Sequence, residues 1–403
     1  MNALRRHFVF GYAILGATGP YLPQFLRADR GLDDRSIGLV LAVSQLPVFL
    51  SPVLMTYLAD RHTNPRMLAL ATTGFAGLAL LALSAWESLG GVMLASAAYS
   101  FALAALLPSM DGLCFAWIKR RIVAGETPPP YHRFRMLGTV GYIVPALVLL
   151  VVLRDDRGLA WVIYTAAAFA GLAALNSLLL PDPRDPSAAA AVSKLPTMDA
   201  LRVMFSRRWI WLSVALALLQ VGNSCFSAVF PVHLTENLGV DARWLGLISS
   251  LGVLCEVPLI FGLGWLTGRF GLRPIMLLGA GAAMLRLGVL AAFPFAGAAI
   301  ASQVLHGFVT LGTLIAPVVF VNRLAGDGFR NSIQGVLAVA VYGPCKLIAP
   351  LLNGWLAQID DRLAFGTSAA LALVAAGLLW RCVPDGPEES AGVHPSTTPS
   401  ARV

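Results

Sequence analysis

Apolar residues run along this chain in stretches of about 20, separated by short breaks rich in charged residues, proline and glycine. A helix rises about 1.5 Å per residue, so such a stretch can cross a hydrocarbon layer about 30 Å thick. Because the number of predicted stretches is even, both termini are expected on the same side of the membrane. The pattern predicts twelve membrane-spanning helices, called spans one to twelve below, near residues 7–27, 36–58, 67–86, 90–117, 136–153, 159–180, 209–232, 242–266, 274–294, 297–321, 331–356 and 363–382.

The composition agrees with a polytopic helical membrane protein. Apolar residues make up 57% of the chain and charged residues 12%, with a mean hydropathy of +0.74. Charged residues are about 25% of ordinary soluble domains. The sequence contains no metal-ligand cluster, no serine-histidine-aspartate arrangement and no ATP-binding motif. We therefore expect neither an enzyme nor an ATP-driven pump, and we expect no metal and no cofactor.

The longest polar stretch of the chain, "PDPRDPSAAAAVSKLPTMDALRVMFSRR", divides the predicted spans into two groups of six. Its proline, serine and charged residues are typical of a linker. The sequence predicts an N-terminal six-helix bundle at 1–180, a cytoplasmic linker at 181–208 and a C-terminal six-helix bundle at 209–382. Residues 383–403 are too polar and proline-rich to pack, so we expect a disordered cytoplasmic tail there.

Positive charge is concentrated on one side of this topology. Of the 29 Lys and Arg residues, 20 fall on the side of the N-terminus, 7 on the opposite side, and 2, Arg286 and Lys346, inside spans. By the positive-inside rule both termini face the cytoplasm, and we expect a multi-pass protein of a bacterial inner membrane. The net charge of +8 reports this topology. The lipid bilayer, and no nucleic acid, is therefore the expected partner.

Several ionisable side chains nevertheless lie inside the apolar runs. Glu256, in "LGVLCEVPLIF", and Arg286 and Lys346 fall near the middle of spans eight, nine and eleven, with His306 in span ten and Asp111 in span four. A charged group at the bilayer centre costs at least about 2.5–3.5 kcal/mol. These groups should therefore face a protein interior or a wet cavity, with Glu256 paired to Arg286 or Lys346. Such a pair could fix helix register, or Glu256 could carry a proton as its cationic neighbour moves.

Two loops in matching positions of the two halves are similar to each other. They read "TYLADRHTNPR" at 56–66 and "GWLTGRFGLRP" at 264–274, and each follows the second span of its half. Both resemble the loop signature of the major facilitator superfamily, in which small residues allow a tight turn and charged residues pair across a gate. The alternative is a pair of basic turns. The matching residues, which the resemblance assigns to gating, are Asp60 and Arg61 in the first loop and Gly264, Arg269, Gly271 and Arg273 in the second.

Further motifs narrow the resemblance to one branch of that superfamily. "YHRFRMLGTVGY" at 131–142, "LPSMDG" at 107–112, "QVLHG" at 303–307 and "LGVLCEVP" in span eight are similar to elements of the phenylpropionate-permease-like and lactose-permease-like transporters. The resemblance implies an all-α membrane protein with twelve helices in two pseudo-symmetric bundles. It also implies alternating access to a central site.

The resemblance also implies roles for the embedded residues. In the lactose-permease branch, the pair corresponding to Asp111 and Arg135 binds substrate, and a glutamate one turn after the span-ten histidine carries the proton. Here that position is Val309, so Glu256 becomes the expected carrier, with Arg286 and His306 as partners. We also assign three residues to substrate binding, although amides often bond helices together instead. These residues are Lys346, Gln24 and Asn223.

Together these features predict a monomeric secondary transporter that uses the proton gradient to take up a small organic solute by symport. The basic residues Arg135, Arg286 and Lys346 favour an organic anion such as an aromatic carboxylate. The alternatives are a sugar or nucleoside symporter, a drug or metabolite exporter, and, from another class, a receptor or assembly factor that transports nothing.

Overall fold

The computed structural model describes most of the chain outside the linker and the tail. The predicted linker therefore lies largely outside the described residues, apart from a short helix, Met198–Met204, and so does nearly all of the predicted tail. The proposed domain boundaries stay predictions. The structure describes residues 1–61, 65–154, 158–180, 198–207 and 209–384, and within these it leaves out the side chains of 49–61, 65, 198–200 and 324–332.

The described chain is helical from end to end, with no strand in the described ranges. Most predicted spans correspond to one long helix each, but spans one and ten are composed of several pieces, and span eleven begins with a short π-helical segment, Leu337–Tyr342. In order, the spans form helices Asn2–Thr18 with Leu22–Ala28, Asp34–Arg61, Pro65–Ala85, Leu89–Val123, Tyr131–Val152, Ala160–Ser177, Ile210–Val232, Leu245–Phe270, Leu272–Ala292, Ala296–Ala301 with His306–Thr310 and Ala316–Val336, Gly343–Ile359, and Asp361–Cys382.

Ten helices in the described ranges are long and apolar enough to cross a membrane. Spans one and two are not among these ten; residues 19–21 interrupt span one. One helix, Ala316–Val336, runs through the residues expected to form the loop between spans ten and eleven. Charged residues end an apolar run without ending a helix, so the sequence pattern predicted the end of the apolar run here but not the end of the helix.

The packing of the spans repeats between the two halves. In the first half, span one packs on spans five and six, span two on span four, and span three on spans four and six. In the second half, span seven packs on spans eleven and twelve, span eight on span ten, and span nine on spans ten and twelve. Each pair recurs six spans later. The chain therefore has the predicted architecture of two pseudo-symmetric six-helix bundles.

The two halves contact each other at the end of the spans remote from the N-terminus. Span two crosses span eleven so closely that a Cβ atom added to Gly38 or Gly354 would overlap the facing backbone. Span five crosses span eight at Gly246, where an added Cβ would lie 2.8 Å from the Cβ of Ala146. The Tyr21 hydroxyl donates across the same boundary to the carbonyl of Arg243 at 3.4 Å. This end of the molecule is closed by direct helix contacts.

Candidate functional site

A polar network lies where spans eight, nine and ten meet. The Glu256 carboxylate lies 3.8 Å from Nε2 of His306, and both side chains are about three-quarters buried, with exposed fractions of 22% and 28%. On the other side of the imidazole, the Arg286 guanidinium lies 3.0 Å from Nδ1 of His306. The Thr310 hydroxyl donates a further hydrogen bond to Glu256. The histidine therefore stands between the carboxylate and the guanidinium.

Arg286 determines which nitrogen of His306 carries the proton. A guanidinium can only donate hydrogen bonds, so Nδ1 must accept. The ring is then neutral, with its proton on Nε2, and the N–H group is directed towards Glu256. A doubly protonated ring would have no acceptor left for Arg286. In this arrangement His306 can take up a proton only if its bond to Arg286 breaks.

Arg286 is itself held on two further sides. Its second terminal nitrogen donates to Oε1 of Gln303 at 2.7 Å, and its guanidinium lies over the ring of Phe226 in span seven, 3.4 Å from the centroid. Phe226 in turn stacks on Phe230. With 4% of its surface exposed, Arg286 is a buried cation whose hydrogen-bond acceptors, His306 and Gln303, are both neutral.

Close helix contact keeps Glu256 and His306 together. A Cβ atom added to Gly307 would lie 3.0 Å from the Cα of Glu256, and one added to Gly252 would lie 3.0 Å from the Cβ of His306. Each glycine therefore removes the side chain that would separate spans eight and ten at the level of the network. The fixed crossing point leaves little room for Glu256 and His306 to move apart.

This geometry corrects the predicted pairing of Glu256. Within the described residues, Glu256 forms no ion pair with Arg286 or with Lys346; its ionisable neighbours are His306 and Arg135. The reason lies in the rotational position of span ten, which inserts an imidazole between the two charges. The sequence placed Glu256 and Arg286 at similar depth, but depth alone does not specify which faces of the helices meet.

Arg135 links the network to the first half of the molecule. Its guanidinium lies over the Tyr12 ring, 4.5 Å from the centroid, and interacts electrostatically with Asp111 as well as with Glu256. Asp111 also accepts a hydrogen bond of 2.8 Å from the Tyr131 hydroxyl. One cation in span five is thus shared between a carboxylate of the first half and a carboxylate of the second half.

The helix bounds change the balance of embedded charge. Span five begins at Tyr131, directly after a run of prolines, so Arg135 lies inside the helix, although the sequence pattern placed it before the span. The described charged side chains of the network and the neighbouring cavity are then three cations and two carboxylates. These residues are Arg135, Arg286, Lys346, Asp111 and Glu256. They leave one excess positive charge, whereas the sequence pattern had placed two cations, Arg286 and Lys346, and two carboxylates, Asp111 and Glu256, inside spans.

A cavity of about 390 Å³ lies between the halves, next to the network. Residues of spans one, two, four, seven and eleven line it, and Lys346 is the charged residue among them. In the described structure Lys346 makes no ion pair within 4 Å. Amide and hydroxyl groups surround the remaining wall, including Gln45, Gln220 and Ser227, with leucine side chains between them. The cavity can therefore offer one cation, several hydrogen-bonding groups and an apolar surface to a small solute.

Span seven connects the cavity to the network. Asn223 lines the cavity and donates to the Thr313 hydroxyl in span ten at 3.2 Å, one turn beyond Thr310, which bonds Glu256. Phe226 follows Asn223 by three residues, and its ring contacts the Arg286 guanidinium. A solute that displaces Asn223 would therefore act on the two spans that position Arg286 and Glu256.

Gln24, predicted to bind substrate, lies elsewhere. It follows the break in span one and donates to the Glu236 carboxylate in the second half at 3.0 Å. The prediction treated span one as continuous, which would have directed Gln24 along the cavity wall. Instead the residue bridges the two halves beside Tyr21, at the closed end of the molecule.

The loop residues assigned to gating show contacts only in part. The side chains of Asp60 and Arg61 lie outside the described residues. In the second loop, Arg269 lies over the rings of Trp265 and Phe270, each 5.9 Å away.

Gly271 of the second loop has a φ of 80°, a conformation that favours glycine, and makes the tight turn between spans eight and nine. Gly264 has open space where a side chain would be, and Arg273 is buried against Trp380. The gating role stays a prediction.

Sequence reasoning missed several residues that complete the site. Gln303 lies one turn before His306 in the "QVLHG" motif, and Tyr131 lies one turn before Arg135, so helical spacing could have identified both. Phe226 carries no such signal, because an aromatic residue in an apolar span is ordinary until its neighbour is known. The same holds for Thr310.

Comparison with known proteins gives a consistent result. Residues 2–366 match the MFS_1 like family. The "Probable 3-phenylpropionic acid transporter" of Escherichia coli (strain K12) is 27% identical over 361 residues, covering 88% of this chain and 90% of the relative. These matches extend over both halves of the chain.

Solved structures share the fold. The nucleoside transporter NupG superimposes with a TM-score of 0.83 at 18% identity, covering 94% of this chain and 98% of its own. A POT family transporter in complex with 5-aminolevulinic acid gives a TM-score of 0.72 at 14% identity, covering 94% and 95%. At these identities the likeness concerns the fold and leaves the solute open.

Proposed function

This chain belongs to the MFS_1 like family and is a membrane transporter of the major facilitator type, and we propose that it takes up a small organic anion together with a proton. In this proposal the solute binds in the cavity beside Lys346, and Glu256 carries the proton. The related transporter named for 3-phenylpropionic acid supports an aromatic carboxylate as the solute. The excess positive charge of the network and the cavity together, with Lys346 in the cavity wall, is the observation on which the proposal chiefly rests.

The balance of charge favours an anion. The network and the cavity together hold three cations and two carboxylates, and Lys346 has no carboxylate within 4 Å among the described residues. A buried cation without a counter-ion is costly, and a bound carboxylate would supply the missing negative charge. The leucine side chains in the wall suit the apolar part of such a solute.

Glu256 is the group best situated to carry the proton. Its carboxylate is within reach of both halves, through Arg135 and His306. His306 cannot accept a proton while Arg286 occupies its Nδ1. Protonation of Glu256 would remove one of the two negative charges that hold Arg135, and would thereby weaken an attraction between the halves. This gives proton binding a direct effect on the rocking of the two bundles.

A nucleoside or sugar is the second candidate solute. The amides and hydroxyls along the cavity wall could bond a neutral polyol or base, and the fold resembles that of a nucleoside transporter. Lys346 would then need no anionic partner. Removal of the Lys346 charge should therefore weaken the binding of an anion, but it should not remove a charge partner of a neutral nucleoside or sugar.

The test is a screen for proton uptake by energy-depleted cells that produce the protein. Addition of an aromatic carboxylate should make the medium more alkaline, and cells without the protein should show no such change. Lys346→Gln should raise the half-saturating concentration about 10- to 100-fold, because a hydrogen bond to a charged group contributes about 1.5–3 kcal/mol. Lys119→Gln, at an exposed lysine outside the cavity, is the matched control. Alkalinisation by nucleosides alone would exclude the anion, and acidification would indicate an exporter.

We also propose that both termini face the cytoplasm of a bacterial cell, as the distribution of lysine and arginine indicates. The closed end of the molecule then faces outward, as an inward-facing conformation requires. A reporter that folds only in the cytoplasm should be active when fused after residue 403. A reporter that folds only outside the inner membrane should be inactive there. The opposite pair of results would contradict the proposed orientation.

A further inference from the structure

A groove separate from the cavity beside Lys346 lies between the two halves, at the end of the molecule where the N-terminus lies. It has a volume of about 520 Å³ and is formed by the start of span one, the first turns of span five and one residue of span eight. Arg5, His132 and Arg133 provide its polar rim, and Phe261 closes it from the second half. No residue of the cavity beside Lys346 takes part.

The groove faces the surrounding membrane, away from the central cavity. His132, Met136 and Val140 recur at intervals of four and so share one face of span five. Arg135 lies on a different face, rotated by about 100° per residue from Met136, and points towards Asp111 and Glu256. The groove wall is exposed: Met136 is 47%, Val140 51% and Phe261 58% exposed. In a membrane this surface must be covered by lipid.

The charge of the groove indicates which lipid covers it. Two arginines and a histidine line it, and none of its lining residues is acidic. Basic pockets between helices at the cytoplasmic side are suited to anionic lipid headgroups. We propose that the groove binds one anionic phospholipid, with its phosphate between Arg5 and Arg133 and an acyl chain along Met136, Val140 and Phe261.

The bound lipid would contact both halves at once. The rings of His132 and Phe261 meet edge to face, with centroids 6.5 Å apart, and they belong to spans five and eight. These two spans also form the contact at the closed end of the molecule. A lipid that fills the groove stabilises this relative position of the halves, because it binds the arrangement that forms the groove better than one that does not.

Native mass spectrometry of the detergent-solubilised protein tests the proposal. Phosphatidylglycerol should bind as one adduct, more tightly than phosphatidylcholine of the same acyl chains. Each removed arginine should weaken binding about fivefold, so Arg5→Gln with Arg133→Gln should weaken it about 25-fold. The matched control, Arg6→Gln with Lys119→Gln, removes the same charge from exposed positions outside the groove. It should bind phosphatidylglycerol as the unmodified protein does.

Several outcomes would overturn the proposal. The first is equal affinity for the two lipids, and the second is unchanged binding in the Arg5 and Arg133 variant. Displacement of the lipid by millimolar glycerol phosphate would indicate a site for soluble phosphate esters instead. A dimer mass without lipid would indicate that a second copy of the chain covers the groove. Equal melting temperatures of the two double variants show that neither result comes from misfolding.

Discussion

Glu256→Gln is expected to abolish uphill accumulation of the solute while leaving exchange of solute across the membrane intact. Glutamine has the shape of the protonated acid and can still accept the hydrogen bond from Thr310. It cannot release or take up a proton, so it holds the site permanently in the neutral state. Arg135 retains Asp111 as a partner, and the substitution therefore does not leave Arg135 without a carboxylate neighbour.

Proteoliposomes allow both modes to be measured on the same preparation. With one proton per solute, a gradient of one pH unit supports about tenfold accumulation, since a tenfold ratio corresponds to about 1.4 kcal/mol. The variant should reach an inside-to-outside solute ratio of about one, and its counterflow rate should stay within about twofold of that of the unmodified protein. Glu87→Gln, at an exposed glutamate between spans three and four, should change neither mode. Uphill accumulation in the Glu256 variant would show that another group carries the proton.

The sequence predicted the architecture because apolar runs, charged breaks and the repeated loop all report on one variable, the depth of each residue in the membrane. Depth sufficed to place Glu256, Arg286 and His306 near one another. It could not specify contacts, which depend on how each helix is rotated about its axis. The predicted pair of Glu256 and Arg286 failed for this reason, since the imidazole of His306 lies between them.

Two other differences arise where the chain departs from a regular helix. Gln24 follows the interruption in span one and therefore bonds Glu236 across the closed end. Arg135 belongs to span five because the helix begins directly after prolines, in a segment too polar for a pattern of apolar residues to include. Both residues were recognised as functional candidates, but only the backbone path shows which surfaces they reach.

Arg286→Met is expected to impair transport strongly with little effect on stability. The buried guanidinium has neutral hydrogen-bond acceptors, so its burial is not compensated by a bonded anion. Methionine fills a similar volume, and its thioether packs well on an aromatic ring such as Phe226. The loss of a donor to Gln303 costs about 1–3 kcal/mol and opposes the gain from removing the charge. The free energy of unfolding should therefore change by less than about 2 kcal/mol.

Transport should fail because Nδ1 of His306 loses its donor. The imidazole could then hold a proton on each nitrogen and pair as a cation with Glu256, which would keep the carboxylate ionised. Accumulation and counterflow should both fall at least about tenfold, the effect of losing about 1.4 kcal/mol of interaction. Addition of His306→Gln should restore part of the counterflow, because glutamine cannot become a cation. Arg381→Met, at an exposed arginine near the end of span twelve, is the control.

The melting temperature and the counterflow rate, measured on Arg286→Met and on the double variant, separate a role in coupling from a role in packing. If Arg286 serves only to fix the packing of spans seven, nine and ten, its replacement should lower the melting temperature, and the added His306→Gln should restore nothing. If it holds His306 neutral, the melting temperature should change little and counterflow should recover in the double variant. Unchanged transport kinetics in Arg286→Met would contradict the coupling role and leave only the packing role. The buried cation would then have no part in coupling, and Arg135 would be the embedded arginine through which protonation of Glu256 acts on the two halves.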